Sequence, residues 1–327
     1  MRAGRVEEAG AIAKRVRTVL TQKNSASLNN CDTRMRCKET WEKVREVTRG
    51  HRRNAESPNG VTAQTLNTHY ATISTDHQYC DTMRKQTAST DEEYMNEIGV
   101  FNMLDTLKPT ATGQDALPAW FLRVGAPVFA APLAKLFNES ITAGFVPRQW
   151  KTAVITPIPK VSNPVHEGDY RPISITSNMS RLLERLIVKH FIYPALQSPP
   201  PDLKFDDQFA FRPTGSTTAA LITLLNSITD KMTSNDYVRV FTLDFTKAFD
   251  TVRHSSLVCK FAKINLPDAV YNWINDFFNS RTHCTKFQGE VSELADIFAS
   301  VVQGSGLGPA AYVVNAADLR PINAPGQ

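Results

Sequence analysis

The stretch VFTLDFTKAFDTVRH, residues 240–254, decides how the rest of the chain is interpreted. Its first half follows Val238 and Arg239 and is rich in β-branched and aromatic residues, which predicts a strand over residues 238–245. Asp244 closes that strand, and Asp250 comes six residues later. A carboxylate at a strand end can hold a hard divalent cation such as Mg²⁺, which prefers oxygen ligands. An aspartate in this position is also common as a turn or helix cap, so both interpretations stand at this point.

A glycine-rich loop, QGSGLGP, occupies residues 303–309. Three glycines in five positions let the backbone approach a ligand closely, and Pro309 suits the first turn of a following helix. The pattern lacks the Gly-Lys-Ser/Thr of a phosphate-binding P-loop and does not fit a dinucleotide-binding turn. A glycine-rich start of a helix is the alternative interpretation.

Two cations flank a polar excursion in IPKVSNPVHEGDYRPIS, residues 158–174. Lys160 follows the predicted strand AVITPI, and Arg171 lies eleven residues further on. Arginine offers a planar fork of donors and lysine a point charge, so the pair could clamp a triphosphate. Taken singly, each could equally be a surface charge.

The remaining periodicity predicts long helices mixed with a few short strands, which is typical of the α+β class rather than of a doubly wound sheet. The helix over 216–232 is expected to turn Leu221, Leu224, Leu225 and Ile228 inward. Further helices are predicted around 95–107 and over 128–141, 177–196 and 267–278, and two further strands near 284–287 and 297–302.

Composition sets the broad limits. The chain has 327 residues, of which 42% are hydrophobic and 21% charged, which suits one large or two modest domains with a core. No apolar run approaches the ~20 residues of a membrane span, so no membrane contact is expected. The five scattered cysteines form no zinc-binding spacing, which favours free thiols in a reducing, intracellular compartment.

Positive charge is concentrated at the front of the chain. Residues 1–55 contain 14 Lys and Arg against 6 Asp and Glu, whereas the whole chain carries a net charge of only +5. Such a segment could contact a polyanion, most simply a nucleic acid, or could be a solvated helix surface.

Six ordered blocks carry a resemblance to a known family. They are LKPTATGQDALPAWF, VPRQWKTAVITPIPK, DYRPISITSNMSRLLERLI, DDQFAFRPTGSTTAAL, VFTLDFTKAFDTVRH and QGSGLGPAAYVVNAADL. From about Glu93 onward the chain resembles the reverse transcriptases of LINE-type (non-LTR) retrotransposons. The resemblance implies a right-hand polymerase with fingers and palm. It also implies RNA-directed DNA synthesis on an RNA template, with a DNA primer and deoxynucleoside triphosphates.

The resemblance also implies roles in metal binding and sugar selection. Asp244 matches the first catalytic, metal-binding aspartate of the palm, with the backbone carbonyl of Phe245 as a further ligand of Mg²⁺ or Mn²⁺. Phe249 matches the aromatic residue that lies against the sugar and excludes a 2′-hydroxyl. Asp250 matches an acidic position expected to support the metal ligands from outside the coordination sphere.

Nucleotide-binding roles follow in the same way. Lys160 and Arg171 match the fingers cations that bind the incoming triphosphate. Gln303 and Gly304 match the loop that touches the nucleotide and the template.

The family pattern also sets the expected boundaries. Residues 1–90 resemble a basic helical linker, and residues 91–327 the fingers and a partial palm. The acidic YADD-like turn, which carries the remaining palm carboxylates, and the thumb are not found. We therefore expect a reverse transcriptase domain truncated before that turn, with a metal site complete only in a longer palm and no activity as it stands. The alternative is a non-catalytic nucleic-acid-binding remnant, or a fragment with no selected role.

Overall fold

A mixed α/β arrangement around one sheet is seen in the computed structural model, which describes residues 60–87, 93–205, 207–213 and 215–319 together with five isolated positions between 14 and 22. The predicted α+β class is confirmed at this level. The basic segment 1–55 lies outside the described residues apart from those five positions, so the division at residue 90 stays a prediction.

The sheet is built around β1 (Thr152–Pro159), whose side chains alternate between buried and partly exposed along its first six residues. β1 pairs antiparallel with β2 (Tyr170–Ile175) and parallel with β3 (Arg281–Phe287). β4 (Glu290–Val291) and β5 (Ala295–Ile297) both run antiparallel to β3. The predicted strand AVITPI is therefore confirmed within β1, and the polar excursion forms the turn of a β1–β2 hairpin.

Eleven α-helices surround or extend this sheet in the described part of the chain, and two other helical turns interrupt them, a 3₁₀ turn at Glu167–Asp169 and a π turn at Val188–Ile192. The helices are α1 (Ala63–Ile73), α2 (Glu97–Asp105), α3 (Ala119–Val124), α4 (Ala126–Thr142), α5 (Arg148–Lys151), α6 (Asn178–Ile187), α7 (Tyr193–Ala195), α8 (Thr217–Met232), α9 (His254–Lys263), α10 (Asp268–Phe278) and α11 (Gly308–Asn315).

The main core lies between the helices α2, α4, α6, α9, α10 and α11. Trp273 on α10 is fully buried, and its indole N–H donates to the Ser140 hydroxyl on α4 at 2.9 Å. As predicted, α10 begins directly after Pro267, whose fixed φ suits a helix start. The helices predicted over 128–141 and 177–196 are confirmed, the second with the π turn inside it.

Helix α1 was not predicted, because the polar stretch that contains it has weak hydrophobic periodicity. A reciprocal pair of hydrogen bonds between Thr62 and Thr65 caps its first turn. Leu66 and Tyr70 are buried beside β1 and β2, and the Asn67 amide donates to the Glu293 carbonyl at 3.0 Å. This helix therefore covers the end of the sheet that also carries Lys160.

The strand predicted over residues 238–245 is wrong: no strand is assigned there, and the segment is exposed, with Phe241 84% and Leu243 88% accessible. A strand needs a neighbour that accepts and donates its backbone hydrogen bonds, and the described residues supply none at this segment. Helix α8 forms as predicted, but its expected inward residues are not buried; Leu221 and Leu225 are exposed. Side-chain pattern alone therefore misjudged the burial of this region.

The strand predicted near 297–302 is also displaced, since β5 ends at Ile297. The following backbone amides are used elsewhere. The Phe298 and Ala299 N–H groups donate to the Ser74 carbonyl after α1, and the Val301 N–H donates to the Phe249 carbonyl at 2.8 Å. These bonds hold residues 298–302 as a loop beneath the glycine-rich segment.

No helix in the described part of the chain is both long and apolar enough to span a bilayer. Among the described cysteines, Cys80, Cys259 and Cys284 are free thiols, as predicted.

Candidate nucleotide-binding site

A cavity of about 100 Å³ opens where α1, the β1–β2 hairpin, β3 and the loop 300–303 meet. Three residues with predicted roles line this one cavity: Lys160 and Gln303, predicted to contact the nucleotide, and Asp250, predicted to support the metal ligands. They come from segments up to 143 positions apart in the sequence, and the fold brings their side chains together. Lys247, His69 and Tyr70 of α1 and His283 of β3 are among the other polar residues that line it.

Lys160 is fixed by the tip of the β1–β2 hairpin. Its backbone N–H donates to the Asp169 carbonyl at 2.7 Å, and its ammonium donates to the Gly168 carbonyl at 2.9 Å. The Asp169 carboxylate accepts the N–H groups of Val165 and His166, which lowers the pKa of Asp169 and closes the turn. The hairpin thus presents a cation at the cavity.

Arg171 lies on β2 opposite Ile158 of β1. Its side chain is exposed, does not line the cavity and has no hydrogen-bond or ion-pair partner within the described residues. The fold therefore places the two predicted triphosphate-binding cations on one hairpin, and only Lys160 in the cavity wall.

Asp250 and Gln303, which both line the cavity, are joined by a hydrogen bond. The Gln303 amide donates to Asp250 Oδ1 at 2.9 Å. Burial raises the pKa of Asp250, while the Gln303 hydrogen bond and the positive charges of Lys160 and Lys247 act in the opposite direction. Lys247 adopts a left-handed backbone conformation with φ +55°, which is uncommon for a residue other than glycine. The Asp250 N–H donates to the Lys247 carbonyl at 2.9 Å, so Lys247 begins the turn that carries Asp250.

The glycine-rich loop is joined to β2 by its backbone. The Ser174 N–H donates to the Gln303 carbonyl at 2.9 Å. Gly304 has φ +108°, and a Cβ added there would lie 2.4 Å from the Ser174 carbonyl oxygen. Only glycine satisfies both the conformation and the close approach at this position. The predicted helix after the loop is confirmed as α11.

A residue that the sequence analysis did not single out anchors the same loop. Glu184 on α6 is fully buried, and its Oε2 accepts the N–H groups of Gly306 at 2.6 Å and Leu307 at 3.1 Å. Its Oε1 accepts the Ser180 hydroxyl at 2.7 Å. The signal was an acidic residue within an apolar helix face, Leu182-Leu183 and Leu186-Ile187, where a charge is buried only when it is paired.

Phe249 lies in an aromatic cluster rather than in the cavity wall. Its ring stacks on Tyr312 of α11 with centroids 4.6 Å apart and planes 15° apart, and meets Phe211 edge-on at 5.9 Å. Its neighbour Asp250 does line the cavity, so Phe249 lies next to the site. Its stack on Tyr312 connects the segment that carries Asp250 to α11.

Asp244 and Phe245 are exposed and do not line the cavity. Within the described ranges no group of three or more His, Cys, Asp or Glu residues is arranged to hold a metal ion. One exposed carboxylate and one backbone carbonyl do not fit a two-ion site, which requires carboxylates on both sides of the ions. The residues in place at Asp244 therefore do not form a metal centre by themselves.

Comparison with known proteins identifies the same region. Residues 158–320 match the family described as "Reverse transcriptase (RNA-dependent DNA polymerase)". This span contains Lys160, Asp250 and Gln303, whereas α1 precedes it.

Similar curated proteins carry the same kind of name. The chain is 33% identical over 218 residues to "RNA-directed DNA polymerase from mobile element jockey" of Drosophila melanogaster, covering 66% of this chain and 23% of that protein. It is 33% identical over 195 residues to "Probable RNA-directed DNA polymerase from transposon BS" of the same fly, covering 59% and 21%.

A more distant match is the "Retrovirus-related Pol polyprotein from type-1 retrotransposable element R2" of Bradysia coprophila, which is 27% identical over 194 residues, covering 59% of this chain and 21% of that protein. The matched region thus spans less than a quarter of the length of each of these relatives. The chain carries a reverse transcriptase domain homologous to those of non-LTR retrotransposon RNA-directed DNA polymerases.

Proposed function

We propose that the cavity lined by Lys160, Asp250 and Gln303 is the site where this domain binds an incoming deoxynucleoside triphosphate during RNA-templated DNA synthesis. The observation that carries the proposal is the convergence of these three side chains from separate segments on one cavity. The RNA template and the DNA primer are the proposed partners, in keeping with the names of the relatives.

Charge supports the assignment. Lys160 and Lys247 both line the cavity, and Arg171 lies on the second strand of the hairpin whose tip carries Lys160. Triphosphates are bound by lysine as a point charge and by arginine as a bidentate donor. Arg171 is free to swing toward a bound triphosphate because no other described side chain engages it.

The remaining roles are proposed from the family. Phe249 would lie against the sugar, held there by its stack on Tyr312. Gly304 would let the loop backbone approach the nucleotide and the template. Reverse transcriptases generally use Mg²⁺ or Mn²⁺; Asp244 and the Phe245 carbonyl would contribute ligands only together with carboxylates that the described residues do not supply.

Within this scheme residues 91–327 correspond to the fingers and part of the palm of a right-hand polymerase, and residues 1–90 correspond to a basic linker. Neither range corresponds to the thumb. The free thiols in the described part of the chain agree with an intracellular location.

Nucleotide binding tests the proposal directly. Affinity for dATP would be measured by titration calorimetry in the absence of divalent metal, which separates the cavity from the incomplete metal site. Lys160→Ala should weaken dATP binding by about 10-fold, since one charge-assisted contact contributes about 1.5 kcal/mol. Lys286→Ala, at an exposed lysine on β3 outside the cavity, is the matched control. Equal affinities for the two variants would refute the site.

A second candidate function is nucleic-acid binding without catalysis. It is favoured by the exposure of Asp244 and the lack of a three-ligand metal group in the described ranges. We propose that residues 1–327 bind nucleotide and RNA but do not extend a primer. The test is primer extension on an RNA template with Mg²⁺ or Mn²⁺. Synthesis that disappears in Asp244→Asn would overturn this second proposal.

A further inference from the structure

Ser300, at the start of the loop 300–303, has a strained backbone. Its φ is +100°, a value that residues other than glycine rarely adopt, and such a conformation costs about 1–3 kcal/mol. Ser300 lines the cavity and is buried. Strain of this kind persists only where neighbouring groups fix the chain, and it is concentrated at functional sites. The contacts that fix Ser300 therefore bear on the site to which Gln303 belongs.

Both backbone polar groups of Ser300 are bonded to the segment that follows Asp250. The Ser300 N–H donates to the Val252 carbonyl at 2.8 Å, and the Ser300 carbonyl oxygen lies 2.9 Å from Nε2 of His254. A carbonyl oxygen can only accept, so Nε2 of His254 carries the proton and donates it. The direction of this carbonyl sets the ψ angle of Ser300 and hence the plane of the next peptide. His254 thus holds the residue whose backbone is strained.

The surroundings of His254 suit it to this one contact. It is the first residue of α9, is only 1% exposed, and meets the rings of Tyr79 and Phe278 with centroids 6.3 and 5.3 Å away. Burial lowers the pKa of His254, and the charge of Arg281 adds to this effect, while the bond to the carbonyl and the charge of Asp76 act in the opposite direction. The ring is therefore neutral near pH 7 and has a single N–H, which the carbonyl accepts.

The chain on the two sides of Ser300 is attached to different parts of the fold. The two residues before it donate their N–H groups to the Ser74 carbonyl after α1, and the residue after it donates its N–H group to the Phe249 carbonyl. A change of ψ at Ser300 would redirect the loop between these attachments. Gln303, whose amide donates to Asp250 Oδ1, follows in the same loop.

We infer that His254 is a positioning residue of the nucleotide site: its hydrogen bond fixes the left-handed turn at Ser300, and that turn directs Gln303 to Asp250. The inference rests on the proposed nucleotide site. A buried histidine that only satisfied a carbonyl would stabilise the fold without controlling the Gln303 side chain. The two roles therefore differ in what happens to that side chain when His254 is replaced.

The side-chain amide resonance of Gln303 in nuclear magnetic resonance spectra of the full chain tests this placement. Gln303→Leu identifies the resonance by its loss, and Asp250→Ala gives its position without the acceptor. His254→Asn and His254→Gln both introduce a neutral amide, but only the longer Gln side chain reaches the place of Nε2. In His254→Asn the resonance should shift to the Asp250→Ala position, and in His254→Gln it should stay at the wild-type position. No shift in His254→Asn, or equal shifts in both variants, would overturn the inference.

Two further variants separate positioning from a general loss of stability. Phe137 is fully buried beside Trp150 and does not line the cavity, so Phe137→Leu should lower stability and leave the resonance unchanged. Ser300→Gly removes the strain, because glycine adopts a positive φ readily. Added to His254→Asn, it should return the resonance toward the wild-type position, and should restore folding if His254→Asn alone does not fold. A shift in Phe137→Leu, or no recovery with Ser300→Gly, would overturn the inference.

Nucleotide affinity distinguishes failure of the inference from failure of the site. Gln303→Leu should weaken dATP binding, measured by calorimetry without divalent metal, by about 5-fold, the value of one neutral hydrogen bond. His254→Asn should weaken it by the same factor, and the double variant no further, since both changes act through Gln303. If the resonance shifts as expected but neither variant weakens dATP binding, the proposed site is overturned and the positioning by His254 stands. If only Gln303→Leu weakens dATP binding, the inference is overturned and the site stands.

Discussion

Replacing Glu184 gives the sharpest test of how the glycine-rich loop is held. Glu184→Ala removes the acceptor of the Gly306 and Leu307 N–H groups, at 2.6 and 3.1 Å, beneath the start of α11. Each buried N–H left without an acceptor costs about 1–3 kcal/mol. The carboxylate also lies near the positive end of the α11 dipole, which adds about 0.5 kcal/mol. Removing a buried charge returns part of this, so we expect a net loss of about 3 kcal/mol.

Glu184→Gln is the matched control, because its amide oxygen can accept both N–H groups while its amide nitrogen donates to the Ser180 hydroxyl. We expect a loss of about 1 kcal/mol, the difference between charged and neutral hydrogen bonds. The assay is urea unfolding, combined with hydrogen exchange at the Gly306 and Leu307 amides. If the Ala and Gln variants lost the same free energy, or if neither amide exchanged faster in Glu184→Ala, the anchoring argument would fail.

Three further predictions concern other parts of the chain. Gly304→Ala should lower the free energy of unfolding, measured with urea, by about 2–4 kcal/mol, because the added Cβ would meet the Ser174 carbonyl. Gly289→Ala is the control and should lower it by only about 1 kcal/mol, because Gly289 has φ +91° but open space around it. Equal losses in the two variants would argue against the clash. Burial lowers the pKa of His254 to about 4 from 6.5, so the unfolded chain takes up the proton first as pH falls. The contribution of His254 to the free energy of unfolding should therefore be fully present above pH 6.5 and should be lost as the pH falls toward 4, a change of about 3 kcal/mol. In His254→Gln the free energy of unfolding should depend less on pH over this range. Deleting residues 1–55 should weaken RNA binding whatever the RNA sequence, and should reduce the salt dependence of that binding in filter-binding titrations. If the salt dependence did not change, the segment would not contact RNA, and the interpretation as a solvated surface would hold.

Local signals in the sequence predicted much of the fold. Pro267 marks a helix start, the glycines at 304–308 mark a loop, and the proline-bounded AVITPI marks a strand. Each of these features depends on the backbone conformation of a few neighbouring residues, and the conformational preferences of proline and glycine indicate that conformation. The family resemblance assigned roles to Lys160, Asp250 and Gln303 one by one, but no local rule relates segments so far apart, so their meeting in one cavity is seen only in the fold.

Non-local partners account for what the sequence could not predict. The apolar residues of 238–245 and the apolar face of α8 indicate segments that could be buried, but burial also needs a neighbouring surface that no pattern within the segment describes. Glu184 was missed for a related reason. Its significance lies in the Gly306 and Leu307 N–H groups that it faces on a distant segment.

The parallel pairing of β1 with β3 has a consequence for synthesis of the chain on the ribosome. Thr152 and Thr282, which face each other in this pair, are 130 positions apart. The β1–β2 hairpin can form as soon as Ile175 has emerged, yet the other edge of β1 must wait until β3 is made. At about 5–20 residues per second, that edge stays open for roughly 5–20 s while residues 176–287 are added. An unpaired strand edge is a template for association with another chain. Slower translation between these two strands should therefore increase aggregation of the nascent protein, even though the finished fold is unchanged.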